Sequence, residues 1–150
     1  MESDKMIEIS EADFPELPEI AALEREIFPD AWSLKSLEET RKQKNAAIFV
    51  AKTKEGMAGY LIFYYVLEEG EIARIATAHS VRRQGAAIQM FRKLLDFCRE
   101  QKITRIMLEV RENNEAARQF YGKCGFTKDG IRRNYYENPK ENAVLMSVNL

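Results

Sequence analysis

The feature that most constrains this chain is an unbroken succession of strand, basic turn, helix and strand between residues 71 and 111. Glu71 to Thr77 reads as a strand, and the turn Ala78-His79-Ser80-Val81-Arg82-Arg83-Gln84-Gly85 leads from it into a helix from about Ala86 to Lys102. The inner stripe of that helix is predicted to be Ala87, Phe91, Leu94, Leu95 and Cys98, and Ile103 to Arg111 is strand again. A strand that returns through a helix lies parallel to its partner, because a tight hairpin cannot make that connection. The fold class expected is therefore mixed α/β.

The segments on either side fit around this unit. Lys5 to Ser10 largely alternates as a strand should, and Phe14 to Ile27 spaces Leu17, Ile20, Ala21, Leu23 and Ile27 close to helical period. Pro29 blocks continuation, and Ser33 can cap a second helix running to about Lys44. Ala46 to Thr53 and Met57 to Leu67 are strands joined by Lys54-Glu55-Gly56, a connection typical of a hairpin. Asn114 to Cys124 is a short helix, followed by strands over Thr127 to Tyr136 and Asn142 to Leu150. No repeat, low-complexity tract or linker divides the 150 residues, so one domain over 1–150 is expected.

Composition removes several function classes. With 23 Lys and Arg against 24 Asp and Glu, the formal net charge of -1 lacks the basic footprint of a nucleic-acid-backbone binder. Two cysteines, Cys98 and Cys124, in segments that read as helices, and one histidine, His79, supply neither a disulfide framework nor a metal-ligand set. No metal and a reducing, cytoplasmic setting are expected. The acids of MESDKMIEIS oppose a signal peptide. The longest apolar run, Met57 to Leu67, is about half of the roughly 20 residues that span a bilayer, so no membrane role is expected.

Three segments carry candidate chemistry. At Arg82-Arg83-Gln84-Gly85-Ala86-Ala87, the free amides and partial positive charge of a helix start, with small residues and two arginines, suit a pyrophosphate. Equally, Gly85 only turns the chain and the arginines are solvated; neither a P-loop nor G-x-G-x-x-G is present. Glu109 lies in Ile106-Met107-Leu108-Glu109-Val110, a run that reads as buried on both faces, where desolvation suits a general base near neutral pH. The alternatives are an ion pair with Arg111 or a neighbouring-strand cation, or a strand with one wetter face. In the third segment Asn114 reads as an N-cap and Gly125 as a helix stop, and Ala117, Phe120, Tyr121 and Cys124 share a face. Tyr121 then points inward, either as core with a polar tip or as a proton donor.

Taken together and in this order, the three segments resemble the GCN5-related N-acetyltransferase (GNAT) superfamily. Arg82, Gly85 and Ala87 meet its pyrophosphate pattern of Gln or Arg, two residues, Gly, one residue, then Gly or Ala. Within it the chain is similar to the RimI-type ribosomal-protein alanine N-acetyltransferases. Phe28-Pro29-Asp30-Ala31-Trp32-Ser33, Leu108-Glu109-Val110-Arg111, Asn113-Asn114-Glu115-Ala116-Ala117, Phe120-Tyr121-Gly122-Lys123-Cys124-Gly125-Phe126 and Ile131-Arg132-Arg133-Asn134-Tyr135-Tyr136 carry that likeness. Ala86 and Ile88, and His79 and Ser80 in place of a Pro-containing turn, depart from the usual pattern.

The resemblance implies a central mixed twisted sheet of about seven strands flanked by about four helices. It implies acetyl-CoA as donor, with its arm on the backbone of Ile75, Ala76 and Thr77 and its pyrophosphate at Arg82, Arg83, Gln84, Gly85, Ala86, Ala87 and Ile88. It places Asn114 at the cofactor, Glu109 as general base and Tyr121 as general acid. The implied partner is a protein N-terminus, the alanine of a small-subunit ribosomal protein, acetylated by a monomer or weak oligomer. The peptide is expected between the turn holding Phe28, Pro29 and Trp32 and the hairpin holding Tyr135 and Tyr136, though those aromatics suit a core edge equally. Two rivals stand beside this: a GNAT acetylating a small amine or lysine, and a ribosome- or RNA-binding module using Arg132, Arg133, Tyr135 and Tyr136.

Overall fold

The computed structural model describes residues 6–78 and 85–150. Its strands form one sheet in the order β1-β2-β3-β4-β5-β7-β6. β1 (Glu8–Glu11), β2 (Ala46–Thr53), β3 (Gly56–Val66) and β4 (Glu69–Thr77) are successive antiparallel neighbours. Helices α1 (Leu17–Ile27) and α2 (Leu34–Lys42) fall between β1 and β2, and α3 (Ala86–Gln101) carries the chain from β4 to its parallel neighbour β5 (Arg105–Arg111). After α4 (Glu115–Lys123), β6 (Thr127–Tyr136) and β7 (Glu141–Asn149) form a hairpin, and β7 inserts beside β5. The parallel pair and the mixed sheet are those the crossover unit demands.

Local chemistry sets several boundaries. The predicted first helix is divided: Phe14–Glu16 is a 3-10 turn and α1 starts at Leu17, with Pro18, which lacks an N–H, in its first turn. Ser33 caps α2 as expected, its Oγ accepting from the Ser36 amide at 3.1 Å. Asn114 caps α4 through Oδ1 and the Ala117 amide at 3.2 Å. Cys124, expected within that helix, is the residue that closes it.

Two apolar layers sandwich the sheet. One holds Leu17, Ile20 and Leu37 of α1 and α2 against Ile48, Val50, Tyr60 and Ile62. The other holds α3 and α4 against Phe49, Leu61, Phe63, Ile106, Leu108 and Val110. Strands β2 and β3 are thus covered on both sides, which is why they read as continuous apolar runs. The inner face of α3 is Ala86, Met90, Phe91, Leu94 and Cys98, whereas Ala87 and Leu95 of the expected stripe are half-buried. Gly59 lies beneath Met90 on this face. A Cβ there would sit 3.1 Å from Met90 Cε and 2.6 Å from the Ala76 carbonyl, so only a bare backbone lets Met90 rest on β3.

One irregularity creates the site. The β3–β4 register passes from Ile62 with Arg74 to Phe63 with Ile72, leaving Ala73 as an extra residue on β4. Such a bulge bends the strand that carries it. Beyond that point β4 leaves β5: the parallel pairing covers only Glu69–Ile72 against Arg105–Leu108. Residues Ala73–Thr77 keep β3 on one side and have no β5 partner on the other.

Candidate active site

The divergence of β4 and β5 opens a cleft of about 860 Å³. Its floor is Glu71–Ile75 of β4 and Glu109–Arg111 of β5; Phe28, Pro29 and Asp30 form one wall, Tyr135 and Tyr136 the opposite one, and Asn114 and Tyr121 close the α4 end. Glu109, Tyr121, Asn114 and Ile75, predicted from separate segments, therefore meet. So do Phe28, Pro29, Tyr135 and Tyr136. Trp32 does not line the cleft: its backbone N–H is held by Glu24 Oε1 at 2.8 Å, and its ring packs towards Tyr64 at 6.5 Å between centroids.

Glu109 is not buried on both faces as its apolar neighbours suggested. Strand β5 alternates, with Ile106, Leu108 and Val110 in the core and Glu109 on the other face, its side chain 20% exposed. That face is wet because α1 and α2 pack over β2, β3 and part of β4 and stop short of β5. The Glu109 carboxylate pairs with Arg132 Nη1 at 3.3 Å. Arg111, the nearer cation in sequence, is taken elsewhere. It donates to the Glu137 and Pro139 carbonyls at 2.8 and 2.9 Å and to Glu141 Oε1 at 3.1 Å, and it stacks on Tyr136 at 4.4 Å, bracing the β6–β7 hairpin.

Tyr121 is 7% exposed and packs between Phe120 and Phe126, with ring centroids 5.6 Å away in each case. Burial pushes its phenol well above the ordinary tyrosine range, so it is a neutral hydroxyl at physiological pH. Burial, with the charge of Glu109 behind it, raises Tyr136 to about 12. Glu71, on the floor beside Glu109, is likewise raised by burial and then by the Glu109 charge, with Arg132 opposing. Tyr136 lines the cleft, while Arg132 pairs with Glu109 from an exposed position, its side chain 55% accessible.

At the start of α3, Gly85 is the N-cap with φ +82, a left-handed conformation that favours glycine. The first intrahelical donor is the Gln89 amide, at 3.1 Å from the Gly85 carbonyl, so the amides of Ala86, Ala87 and Ile88 precede the helical ladder. These amides lie off the cleft's lining, as do Ala76 and Thr77. Arg82, Arg83 and Gln84 lie outside the described residues. An unpaired strand edge followed by a donor-rich helix start fits an extended thioester arm ending in a diphosphate.

Glu71 and Arg74, which line the cleft, and Glu24, which pairs with Arg74 from behind it, have no counterpart among the predicted site residues. Glu24 is fully buried. It accepts from Tyr60 Oη at 2.6 Å and from Arg74 Nε and Nη2 at 3.0 Å each. The sequence signal for this pair is an acid on the α1 stripe, after Leu17, Ile20 and Ala21, and a single cation in the apolar strand Ile72-Ala73-Arg74-Ile75-Ala76.

Residues 17–126 match the model of the Acetyltransferase (GNAT) family. The chain belongs to the GNAT acetyltransferases. This GNAT chain is 31% identical over 146 residues to the ribosomal protein bS18 alanine N-acetyltransferase of Haemophilus influenzae, covering 95% of this chain and 97% of that one. It is 29% identical over 136 residues to a Bacillus subtilis relative described as a putative bS18 alanine N-acetyltransferase, covering 90% of each. Among solved structures, the ribosomal-protein-S18-alanine N-acetyltransferase of Escherichia coli superposes with a TM-score of 0.88 at 29% identity, over 96% of this chain and 94% of that chain. Like these relatives, this GNAT protein is an N-acetyltransferase with the seven-stranded mixed sheet.

Proposed function

We propose that the protein, as one cytoplasmic acetyltransferase domain, transfers an acetyl group to the α-amino group of a protein N-terminus, the N-terminal alanine of ribosomal protein bS18. The observation that carries this reading is the meeting of Glu109 and Tyr121 in a cleft floored by the unpaired edge of β4. The names of the full-length relatives supply the acceptor.

Acetyl-CoA, when bound, supplies a thioester carbonyl that an amine attacks directly. The amides of Ala86, Ala87 and Ile88 would hold its diphosphate, together with Arg82, Arg83 and Gln84 of the sequence pattern, and the backbone of Ile75, Ala76 and Thr77 would hold its arm. A β4 N–H on that edge stabilises the developing oxyanion. An α-amino group has a reference pKa of about 8 and is largely protonated at pH 7, so it needs a base. Glu109 accepts its proton, either directly or through water, and Arg132 keeps the carboxylate facing the cleft. Tyr121 Oη–H, neutral at working pH, gives a proton to the departing sulfur. Neither cysteine suits a covalent route: burial pushes the Cys98 thiol up to about 12 and raises that of Cys124.

Incubation with acetyl-CoA and a peptide beginning with Ala, beside an N-terminally blocked peptide bearing Lys, tests the assignment. Acetyl on the free α-amine is expected; transfer to lysine or small amines alone overturns it.

A further inference from the structure

We propose that Arg74 is the positioning residue of the acceptor wall, setting affinity for the acceptor amine while leaving the donor side unaffected. This rests on the reading above that the acceptor enters the cleft between Phe28–Asp30 and Tyr135–Tyr136. The segment that forms the first wall has little of its own to hold it. Among the described residues no backbone–backbone hydrogen bond fixes Pro29, Asp30 or Ala31. What fixes them is Arg74. Its guanidinium lies 3.7 Å from the Phe28 ring centroid, and Nη2 donates to the Asp30 carbonyl at 3.1 Å and reaches Asp30 Oδ1 at 3.4 Å.

The guanidinium is itself immobilised. Nε and Nη2 bind the two oxygens of Glu24 at 3.0 Å each, a bidentate fork that a lysine cannot copy. Glu24 also takes the Trp32 amide at 2.8 Å and the Tyr60 hydroxyl at 2.6 Å. One buried carboxylate thus locks one cation, and that cation holds the wall at two points and stacks on a third. Arg74 sits on β4 directly after the bulge residue Ala73, and lines the cleft. The strand that binds the donor arm and the wall that meets the acceptor are thereby held in one frame. A buried ion pair is weak evidence of stabilisation in itself, since apolar residues of similar size often do as well. Its distinguishing property here is geometry: it fixes where Phe28 and Asp30 stand relative to Glu109.

The test compares wild type, Arg74→Lys, Arg74→Met and the double variant Glu24→Gln/Arg74→Met. The last leaves no buried carboxylate without its cation, which guards against simple misfolding. Steady-state kinetics with an Ala-initiated peptide and acetyl-CoA are read beside melting temperature and the emission of Trp32, the chain's single tryptophan. In both Met variants the acceptor KM is expected to rise about tenfold while kcat and the acetyl-CoA KM stay within about twofold, because the lost interaction is one of acceptor binding. Trp32 emission should shift to the red as the segment loosens, and Arg74→Lys should recover part of the KM. An unchanged acceptor KM in a folded double variant overturns the proposal. So does a parallel change of kcat and both KM values that follows melting temperature, since that is a merely structural effect. If the wild type transfers only to lysine or a small amine, the substrate assignment falls, and the same KM comparison made on that amine decides the role of Arg74.

Discussion

Glu109 lies between two core residues of β5 and yet faces water, because alternation along a strand assigns neighbouring side chains to opposite faces. If Glu109 is the proposed general base, Glu109→Gln should lower kcat roughly 100-fold or more. Tyr121→Phe, which removes only the donor, should also lower kcat strongly. Calorimetric titration with acetyl-CoA should show both variants binding the donor normally. Near-wild-type turnover in both removes them from the mechanism. Glu71 yields a different prediction. Its folded-state pKa is raised above 4.5, so the folded protein holds that proton more tightly than the unfolded chain. Stability therefore falls as pH rises from the unfolded value near 4.5 through the raised folded value. Glu71→Gln should raise the melting temperature at pH 7, and the gain should vanish below about pH 4.5; a gain that persists in acid contradicts a cost that comes from burying the charged carboxylate beside Glu109.

Strand β4 does most to make the site. It pairs on both sides at Glu69–Ile72, bulges at Ala73, and then presents an unpaired edge. The contact between Gly59 and Met90 holds α3 against the same sheet. Gly59→Ala, whose Cβ would stand 2.6 Å from the Ala76 carbonyl, should destabilise the fold by about 1–3 kcal/mol in denaturant titration. It should also weaken acetyl-CoA binding if Ala76 belongs to the proposed donor edge. Little of this was readable beforehand. The strand over Glu71 to Thr77 and the helix after Gly85 were legible because alternation, caps and glycine act within a few residues. The bulge was not, because it exists only in the register between two strands. The rotation of α3 is illegible for a related reason: Ala86 and Ala87 are alike as apolar residues, and the face that turns inward is set by packing against the sheet, where Met90 lies over Gly59.

Across the whole molecule, the proposed donor site spans β4, the start of α3 and the start of α4, so if donor binds there it should stabilise those elements together. At about 100 times its dissociation constant, acetyl-CoA should add about 2.7 kcal/mol, visible as a rise in melting temperature. No shift at saturating acetyl-CoA would falsify the donor assignment. Among the described residues no helix is long and apolar enough to cross a membrane. What the sequence by itself determined is the parallel crossover, the turn at Gly85 into α3, the Ser33 and Asn114 caps, and the residue types of one carboxylate and one phenol. These follow from chain-local sterics, periodicity and hydrogen bonding. Only the tertiary structure decided that Glu109 pairs with Arg132 while Arg111 braces a hairpin, that Trp32 turns away from the cleft, and that Glu24 and Arg74 meet. Each of those outcomes is a competition among partners distant in sequence, settled by which faces the packed helices cover and where β4 parts from β5.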